Sequence, residues 1–330
     1  MSASITSRAN GVPRRPLGRT GLEITRIGCG GWQLGGGEQP QERRADDDEF
    51  RRATIHRALE AGINWIDTAP VYGFGHSELM VARTLRELSQ RPLVFTKCGV
   101  VWDDRDRTTN SLRRESIRRE CEESLRRLET DVIDLYQIHW PIPDEEIEEG
   151  WAALAELKQE GKVAHIGVSN FSVEQLRRCE SIAPVETLQP PYSLVQPQAA
   201  EDVLPYSGEN GIGVIVYSPQ GAGLLTGKMT RERVETLPES DYRKQEPSFN
   251  EPALTRNLEI ADRLRATGLS GGSLAIAWTL ANPAVTAAIV GFRRPEHVGA
   301  LLADLDLERL HAVLREISLL PPRPAPTEAR

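Results

Sequence analysis

The chain has 330 residues, enough for one large domain with a substantial core, so it needs neither disulfides nor a structural metal to fold. Lys and Arg total 40 against 48 Asp and Glu, a net charge of −8, and no stretch is strongly basic, which argues against a nucleic-acid partner. No run approaches the length of a membrane span, and the four cysteines at 29, 98, 121 and 179 match no redox or zinc spacing, so they read as buried thiols of a cytoplasmic protein.

Met1 to Arg14 is polar, lacks the hydrophobic core of a secretory signal and is expected to be a flexible extension (1–14). Leu17 to Arg26, with Gly18 and Gly21 at turn positions, predicts a small hairpin. Barrel-type units follow. Arg26–Gly30 is the first strand and 48–61 the first helix, stopped by Gly62. The charges around it, Arg43, Arg44, Arg51 and Arg52 against Asp46, Asp47, Asp48 and Glu49, nearly cancel and read as a solvated loop and helix start. Ile63–Asp67 is strand two, and Ser77–Leu88 is a helix with Leu79, Val81, Ala82 and Leu85 facing inward. Leu93–Lys97 is strand three. A helix from Ser111 repeats Ile117, Cys121, Ser124 and Leu128 at the helical period.

Val132–His139 is strand four, Glu145–Glu160 a helix ended by Gly161, and Val163–Val168 strand five, with a helix from Ser172. Glu186–Gln189 and Gly213–Tyr217 are strands six and seven, with a helix centred on 198–204 between them. Ala287–Val290 is strand eight, before a helix starting near Pro295. The alternation predicts an α/β fold, a (β/α)8 TIM barrel formed by a single domain over 15–320, with the N-terminal β-hairpin and an extra C-terminal helix. That helix carries Leu307, Leu310, Leu314 and Ile317 and is expected to pack on the barrel, while 321–330 is a tail. The segment from Thr226 to Asn250 is long, polar and aperiodic. It lies after strand seven, on the face where barrels keep their sites, and reads as a lid for substrate or cofactor.

Four polar side chains stand at or just beyond consecutive strand ends: Asp67, Tyr72, Lys97 and His139. Strand ends of a barrel converge on one mouth. The set suits reduction of a carbonyl, where charge develops on oxygen and a proton donor stabilises it. Tyr72 is the donor in this reading, and a neighbouring Lys97 ammonium is expected to lower its pKa. Asp67 pairs with Lys97, and His139 orients the substrate or phenol.

These residues carry a resemblance. Asp67-Thr68-Ala69-Pro70-Val71-Tyr72-Gly73 with Gly75, Ser77 and Glu78, then Phe95-Thr96-Lys97, then Asp134-Leu135-Tyr136-Gln137-Ile138-His139-Trp140, closely resemble the motifs of the aldo-keto reductase family. The resemblance runs from about Leu17 to Leu302, and Gln189-Pro190-Pro191-Tyr192 points to a bacterial branch that includes general-stress reductases. It implies an NAD(P)H-dependent reductase of small aldehydes or ketones with Asp67, Tyr72, Lys97 and His139 as its catalytic tetrad.

It also implies a cofactor site. Ser169, Asn170 and Gln189 would grip the nicotinamide amide and Tyr217 would stack on its ring. Ser218, Gly223, Leu225, Gly227 and Lys228 match the pyrophosphate loop, with Gln220 in place of the commoner apolar residue. Gly291, Arg293 and Arg294 precede a helix start, and the two arginines favour the 2′-phosphate of NADP(H). The family's adenine contacts fall on Ala300 and Leu301, and His297 replaces a glutamine, so NAD(H) stays open. Gly28-Cys29-Gly30-Gly31-Trp32-Gln33 lacks the third glycine of a dinucleotide fingerprint.

Trp32, Phe74, Trp102 and Trp140 lie in loops of the same mouth and form a candidate aromatic wall for a small carbonyl substrate, with Asp103, Asp104, Arg105 and Arg107 adding polarity. The expected protein is a monomer or weak homo-oligomer without a membrane or nucleic-acid partner. Two other readings fit less well: a noncatalytic NADP-binding accessory or regulatory barrel subunit, and a metal-dependent barrel using His139, His165 and Asp67 as ligands.

Overall fold

The computed structural model describes residues 12–35 and 45–320. Eight parallel strands close into a barrel: β1 (Ile27–Gly30), β2 (Trp65–Asp67), β3 (Leu93–Cys98), β4 (Ile133–Ile138), β5 (Val163–Ser169), β6 (Thr187–Gln189), β7 (Gly213–Val216) and β8 (Val285–Gly291). Each pairs with the next in sequence, and β8 returns to β1 through Ala288 to Ile27. Both faces of such a sheet are covered, which is why the strands read as apolar runs and not as alternating ones.

The outer helices are α1 (Ala45–Glu60), α2 (His76–Leu85), α3 (Arg114–Leu128), α4 (Ile147–Gln159), α5 (Val173–Glu180) and α6 (Val203–Glu209). After β7 come α7 (Arg231–Glu235), α8 (Ala253–Ala266) and α9 (Gly271–Ala281), and after β8 come α10 (Pro295–Ala303) and α11 (Leu307–Glu316). Local chemistry sets several boundaries. Ser172 Oγ accepts the Gln175 N–H while Gln175 Oε1 accepts the Ser172 N–H, a capping box that starts α5. On α3 the expected Ile117, Cys121, Ser124 and Leu128 are all buried.

The barrel interior is filled by Trp65, Phe95, Leu135, Ile215, Ala287 and Ile289. Its N-terminal end is plugged by Leu17 and Ile24 from the hairpin Arg14–Pro16 with Glu23–Thr25. Trp65 donates from its indole nitrogen to the Thr25 carbonyl at 2.9 Å. Gly28 makes room for that ring, since a Cβ there would lie 2.2 Å from it. The glycine-rich start of the first barrel strand thus serves packing.

Several expectations need correction. Arg14 belongs to the hairpin, paired with Thr25, and not to the N-terminal extension, whose residues 1–11 lie outside the described residues, as do 321–330. Leu79 is exposed, and α2 turns Met80, Val81 and Ala82 inward with Ser77, Glu78 and Thr84, because polar partners await the latter. Glu78, for example, takes a hydrogen bond from Thr96 and one from Arg127. In the charged patch near α1, Arg43 and Arg44 lie outside the described residues, while Asp48 pairs with Arg51 and His76.

The segment 226–250 is folded over the molecule. It holds α7 and buries Met229, Val234 and Phe249 in a second core with α8, α9 and α11. The pattern reading assigns no helix to α8 or α9. The sequence of α9, Gly-Gly-Ser-Leu-Ala-Ile-Ala-Trp-Thr-Leu-Ala, has no polar stripe, because it packs between β8 and the outer helices α8 and α11. A hairpin of Val100–Trp102 with Thr108–Asn110 after β3 is also new, its tip held by Asp103 accepting the backbone N–H groups of Arg105 and Arg107. As expected, Leu310 and Leu314 of α11 face this second core.

Replacing Trp65 by Ala should empty the barrel interior at the level of Gly28 and destabilise the fold by about 3–5 kcal/mol. Urea or thermal unfolding measures this, and a change under about 1 kcal/mol would refute the filling role.

Candidate active site

Strand alternation builds the site one layer above the core. Trp65 and Phe95 point into the barrel, and two residues on, at the same parity, come Asp67 and Lys97. Gln137 follows Leu135 in the same way, and His139 lies just past β4. Gln189 ends β6, so the polar side chains of four strands meet at the C-terminal mouth.

The centre is an ion pair. Lys97 Nζ donates to Asp67 Oδ1 at 2.6 Å and to the Thr68 carbonyl at 2.9 Å, and Lys97 is only 1 % exposed. The second Asp67 oxygen accepts Gln189 Nε2 at 2.8 Å. Burial acts to lower the Lys97 pKa, but the Asp67 charge and the contact with Tyr72 outweigh it, and the ammonium is held above its ordinary range.

Tyr72 stands over this pair, with Lys97 Nζ 5.1 Å from the centre of its ring. Its ring edges meet Trp32 at 5.2 Å and His139 at 5.7 Å between centroids. The expected acidification is not the net outcome. Burial raises the phenol pKa, Lys97 pulls it back, and burial wins, so the value lies above ordinary tyrosine. His139 moves the other way: burial, then the Lys97 charge, hold its imidazole well below 6.5.

The residues assigned to the nicotinamide amide form one hydrogen-bonded chain. Ser169 Oγ donates to the Gln189 carbonyl at 2.8 Å, and Asn170 Nδ2 donates to Ser169 Oγ and to the His139 carbonyl, both at 3.0 Å. Tyr217 donates its hydroxyl to Asn170 Oδ1 at 2.8 Å. Asn170 holds a left-handed backbone, φ +67°, and Ser218 another at +54°.

Beyond β7, residues 221–226 form a tight turn broken by left-handed Ala222 and Gly223, and Gly227 at φ +76° ends it. Leu225 turns its side chain into the second core, and its N–H is given to the Gln220 carbonyl. Lys228 is exposed. At the end of β8, Gly291 abuts Gln33, whose buried Oε1 has no hydrogen-bond partner among the described residues. The two arginines diverge. Arg294 lies over the Phe50 ring of α1 at 5.4 Å. The Arg293 charge is felt in the 226–250 segment: the Asp241 carboxyl is held below its usual range chiefly by its hydrogen bond to Arg243, and the Arg293 charge adds to this.

The aromatic wall splits in two. Trp32 touches Tyr72, and Trp140 stacks on His139 at 6.1 Å, whereas Phe74 and Trp102 pack on each other at 5.6 Å with Arg127 over Trp102. Tyr242, which the sequence reading passes over, brings 226–250 to the mouth by meeting Trp32 at 6.1 Å. Only the path of that segment reveals it. Gln137 and the Asp67–Gln189 bond are also missed, though strand parity alone points to Gln137. Among the described residues no set of metal ligands is assembled. His165 is bonded to Glu186 at 2.9 Å, and Asp67 is committed to Lys97 and Gln189.

The His139 imidazole should stay neutral across about pH 6 to 8, which nitrogen chemical shifts of labelled histidine report. A midpoint near the ordinary 6.5 would contradict the electrostatics described.

Comparison with known proteins agrees with this architecture. The sequence profile of the Aldo/keto reductase family matches residues 26–313. Aldo-keto reductase YhdN of Bacillus subtilis (strain 168) is 41% identical over 289 residues, covering 86% of this chain and 85% of its own. The NADH-specific methylglyoxal reductase of Escherichia coli (strain K12) is 34% identical over 309 residues, covering 88% and 93%. Among solved structures, the glycerol dehydrogenase AKR11B4 of Gluconobacter oxydans superposes with a TM-score of 0.80 at 36% identity, covering 96% of this chain and 99% of that one. With the barrel, the mouth and these likenesses in place, the chain belongs to the aldo/keto reductase family and is an NAD(P)H-dependent oxidoreductase.

Proposed function

We propose that the protein reduces small aldehydes or ketones to alcohols with NADPH, Tyr72 giving the proton to the carbonyl oxygen. The observation that carries this reading is the Tyr72 phenol standing over a buried Lys97–Asp67 pair, with a neutral His139 beside it. A phenol with a raised pKa is fully protonated at neutral pH, so the donor is loaded before substrate arrives. As the proton leaves, the Lys97 ammonium stabilises the phenolate, and Asp67 and Gln189 keep that ammonium from turning away. Neutral His139 can hydrogen-bond the carbonyl oxygen without adding a second cation next to Lys97. Trp32, against Tyr72, and Trp140, stacked on His139, line the approach.

The residues on the other side of the mouth fit a nicotinamide dinucleotide. Amide and hydroxyl groups of Ser169, Asn170 and Gln189 suit the carboxamide, Tyr217 the ring, and the unpartnered Gln33 oxygen beside Gly291 offers a further acceptor. The turn Ser218 to Lys228, with Gly223 and Gly227, suits the diphosphate. When bound, the reduced nicotinamide supplies the hydride. Of the two arginines, Arg293 is the better candidate for a 2′-phosphate, because Arg294 is turned onto Phe50. Ala300 and Leu301 leave adenine without the usual polar contacts, and one relative is described as NADH-specific, so NADH serves as a weaker alternative.

The names of the relatives point to compact oxygenated substrates: methylglyoxal for one and glycerol for the other. The complete Asp67, Tyr72, Lys97 and His139 set favours catalysis over an accessory role. Segment 226–250 acts as a lid through Tyr242 on Trp32. Four buried, unpaired cysteines accord with a reducing cytoplasm.

Tyr72→Phe should lower kcat by about 10²-fold or more while NADPH still binds, as protein fluorescence and steady-state rates show. A kcat within a few-fold of the parent refutes the donor role. Arg293→Ala should weaken NADPH more than NADH, and Arg294→Ala should leave that ratio near the parent value. Equal weakening of both cofactors by Arg293→Ala would remove the phosphate assignment.

A further inference from the structure

One peptide unit beside the site is gripped from both sides. The Gly99 N–H donates to Glu120 Oε2 at 2.8 Å. The carbonyl of the same peptide, that of Cys98, accepts the His139 N–H at 2.9 Å. Lys97 immediately precedes this unit. Glu120, on α3, is 4 % exposed, and its other oxygen accepts Ser116 Oγ at 3.0 Å. Gly99 sits at φ +89°, and a Cβ there would meet Leu112 at 2.7 Å, so the position calls for glycine.

We propose that Glu120 is a positioning residue which, through the Cys98–Gly99 peptide, sets how Lys97 is presented to Tyr72 and how His139 is presented to the substrate carbonyl. This rests on Lys97 acting through Tyr72, and His139 directly, on that carbonyl. A carboxylate makes the grip stronger than a neutral acceptor does, because a charge-assisted hydrogen bond is shorter and stiffer.

The grip is also tied to pH. Burial pushes the Glu120 carboxyl up to about 7, against the opposing pull of its bonds to Gly99 and Ser116. The groups facing it are Cys98 on β3, Tyr136 on β4, and Arg119 and Glu123 on its own helix, while Cys121 and, from α2, Glu78 act on the same Tyr136. Burial raises the two thiols and the Tyr136 phenol above their ordinary values, so they stay neutral where Glu120 changes charge. Above that midpoint the Gly99 N–H meets a carboxylate, and below it a neutral acid. Lys97 and His139 are therefore held more tightly on the alkaline side.

The test uses the full chain labelled with ¹⁵N in glycine and histidine. The Gly99 and His139 amide signals should move together with a midpoint near 7. In Glu120→Gln, which keeps an acceptor but cannot ionise, neither signal should titrate, and the matching inflection in kcat should vanish. Glu120→Ala should lower kcat about tenfold with KM and cofactor affinity nearly unchanged, and Gln at the same position should restore most of the rate. A Gly99 signal that does not titrate, a His139 amide that ignores it, or a kcat profile identical in Glu120→Gln overturns the proposal. Should Glu120→Ala fail to fold, the Gln variant decides alone. If the parent reduces no carbonyl, the functional reading falls, while the two amide signals still judge the grip.

Discussion

An ammonium taken almost wholly out of water stays charged only where a carboxylate and further acceptors replace its hydration. Lys97 meets that condition through Asp67 at 2.6 Å and the Thr68 carbonyl at 2.9 Å, and the rest of the mouth is arranged around it. Asp67 would be drawn off its mark by a single partner, so Gln189 from across the barrel holds its second oxygen. Burial, with the cation adding to it, keeps His139 neutral, and the same cation opposes the upward push of burial on Tyr72. One buried charge thus acts on the protonation of each neighbour, and it can exist there because three strands of a closed barrel bring Asp67, Lys97 and Gln189 to the same layer.

The barrel supplies this layer by parity. Trp65 and Phe95 fill the interior, and Asp67 and Lys97 follow two residues later on the same inward side. Misplacing the large rings would shift the ion pair above them. The opposite half of the mouth is a hydrogen-bonded chain from Gln189 through Ser169 and Asn170 to Tyr217, which also touches the His139 backbone carbonyl. The residues proposed for proton chemistry and those proposed for the cofactor therefore share a frame, joined at His139 and Gln189. From outside, α3 reaches the same frame through Glu120, and 226–250 reaches it through Tyr242 on Trp32.

Much of this was legible in the chain itself. Strand ends are marked by the polar residue that follows an apolar run, so Asp67, Lys97, His139 and Gln189 could be placed before any coordinates. The eight-unit rhythm and the helix of Leu310 and Leu314 were legible for the same reason. What escaped depends on tertiary context. α9 is apolar all round because it is covered on every side, and so it shows no stripe. Leu79 was assigned inward by hydrophobicity alone, but α2 turns toward a buried Glu78 whose partners, Thr96 and Arg127, come from other elements. The divergence of Arg293 and Arg294 depends on the positions of Phe50 and Asp241, distant in sequence. The direction of the Tyr72 shift depends on a contest between burial and Lys97 that residue identity does not decide.

The central claim is that the Lys97 charge does chemical work at Tyr72 as well as structural work at Asp67. Replacing Lys97 by Met keeps much of the stem and removes the charge. Single-turnover oxidation of bound NADPH by an aldehyde, followed by stopped flow, then isolates the chemical step. The account predicts that this step slows by about 10²-fold or more while NADPH remains bound. A rate constant close to that of the parent, in a folded protein saturated with cofactor, would contradict it.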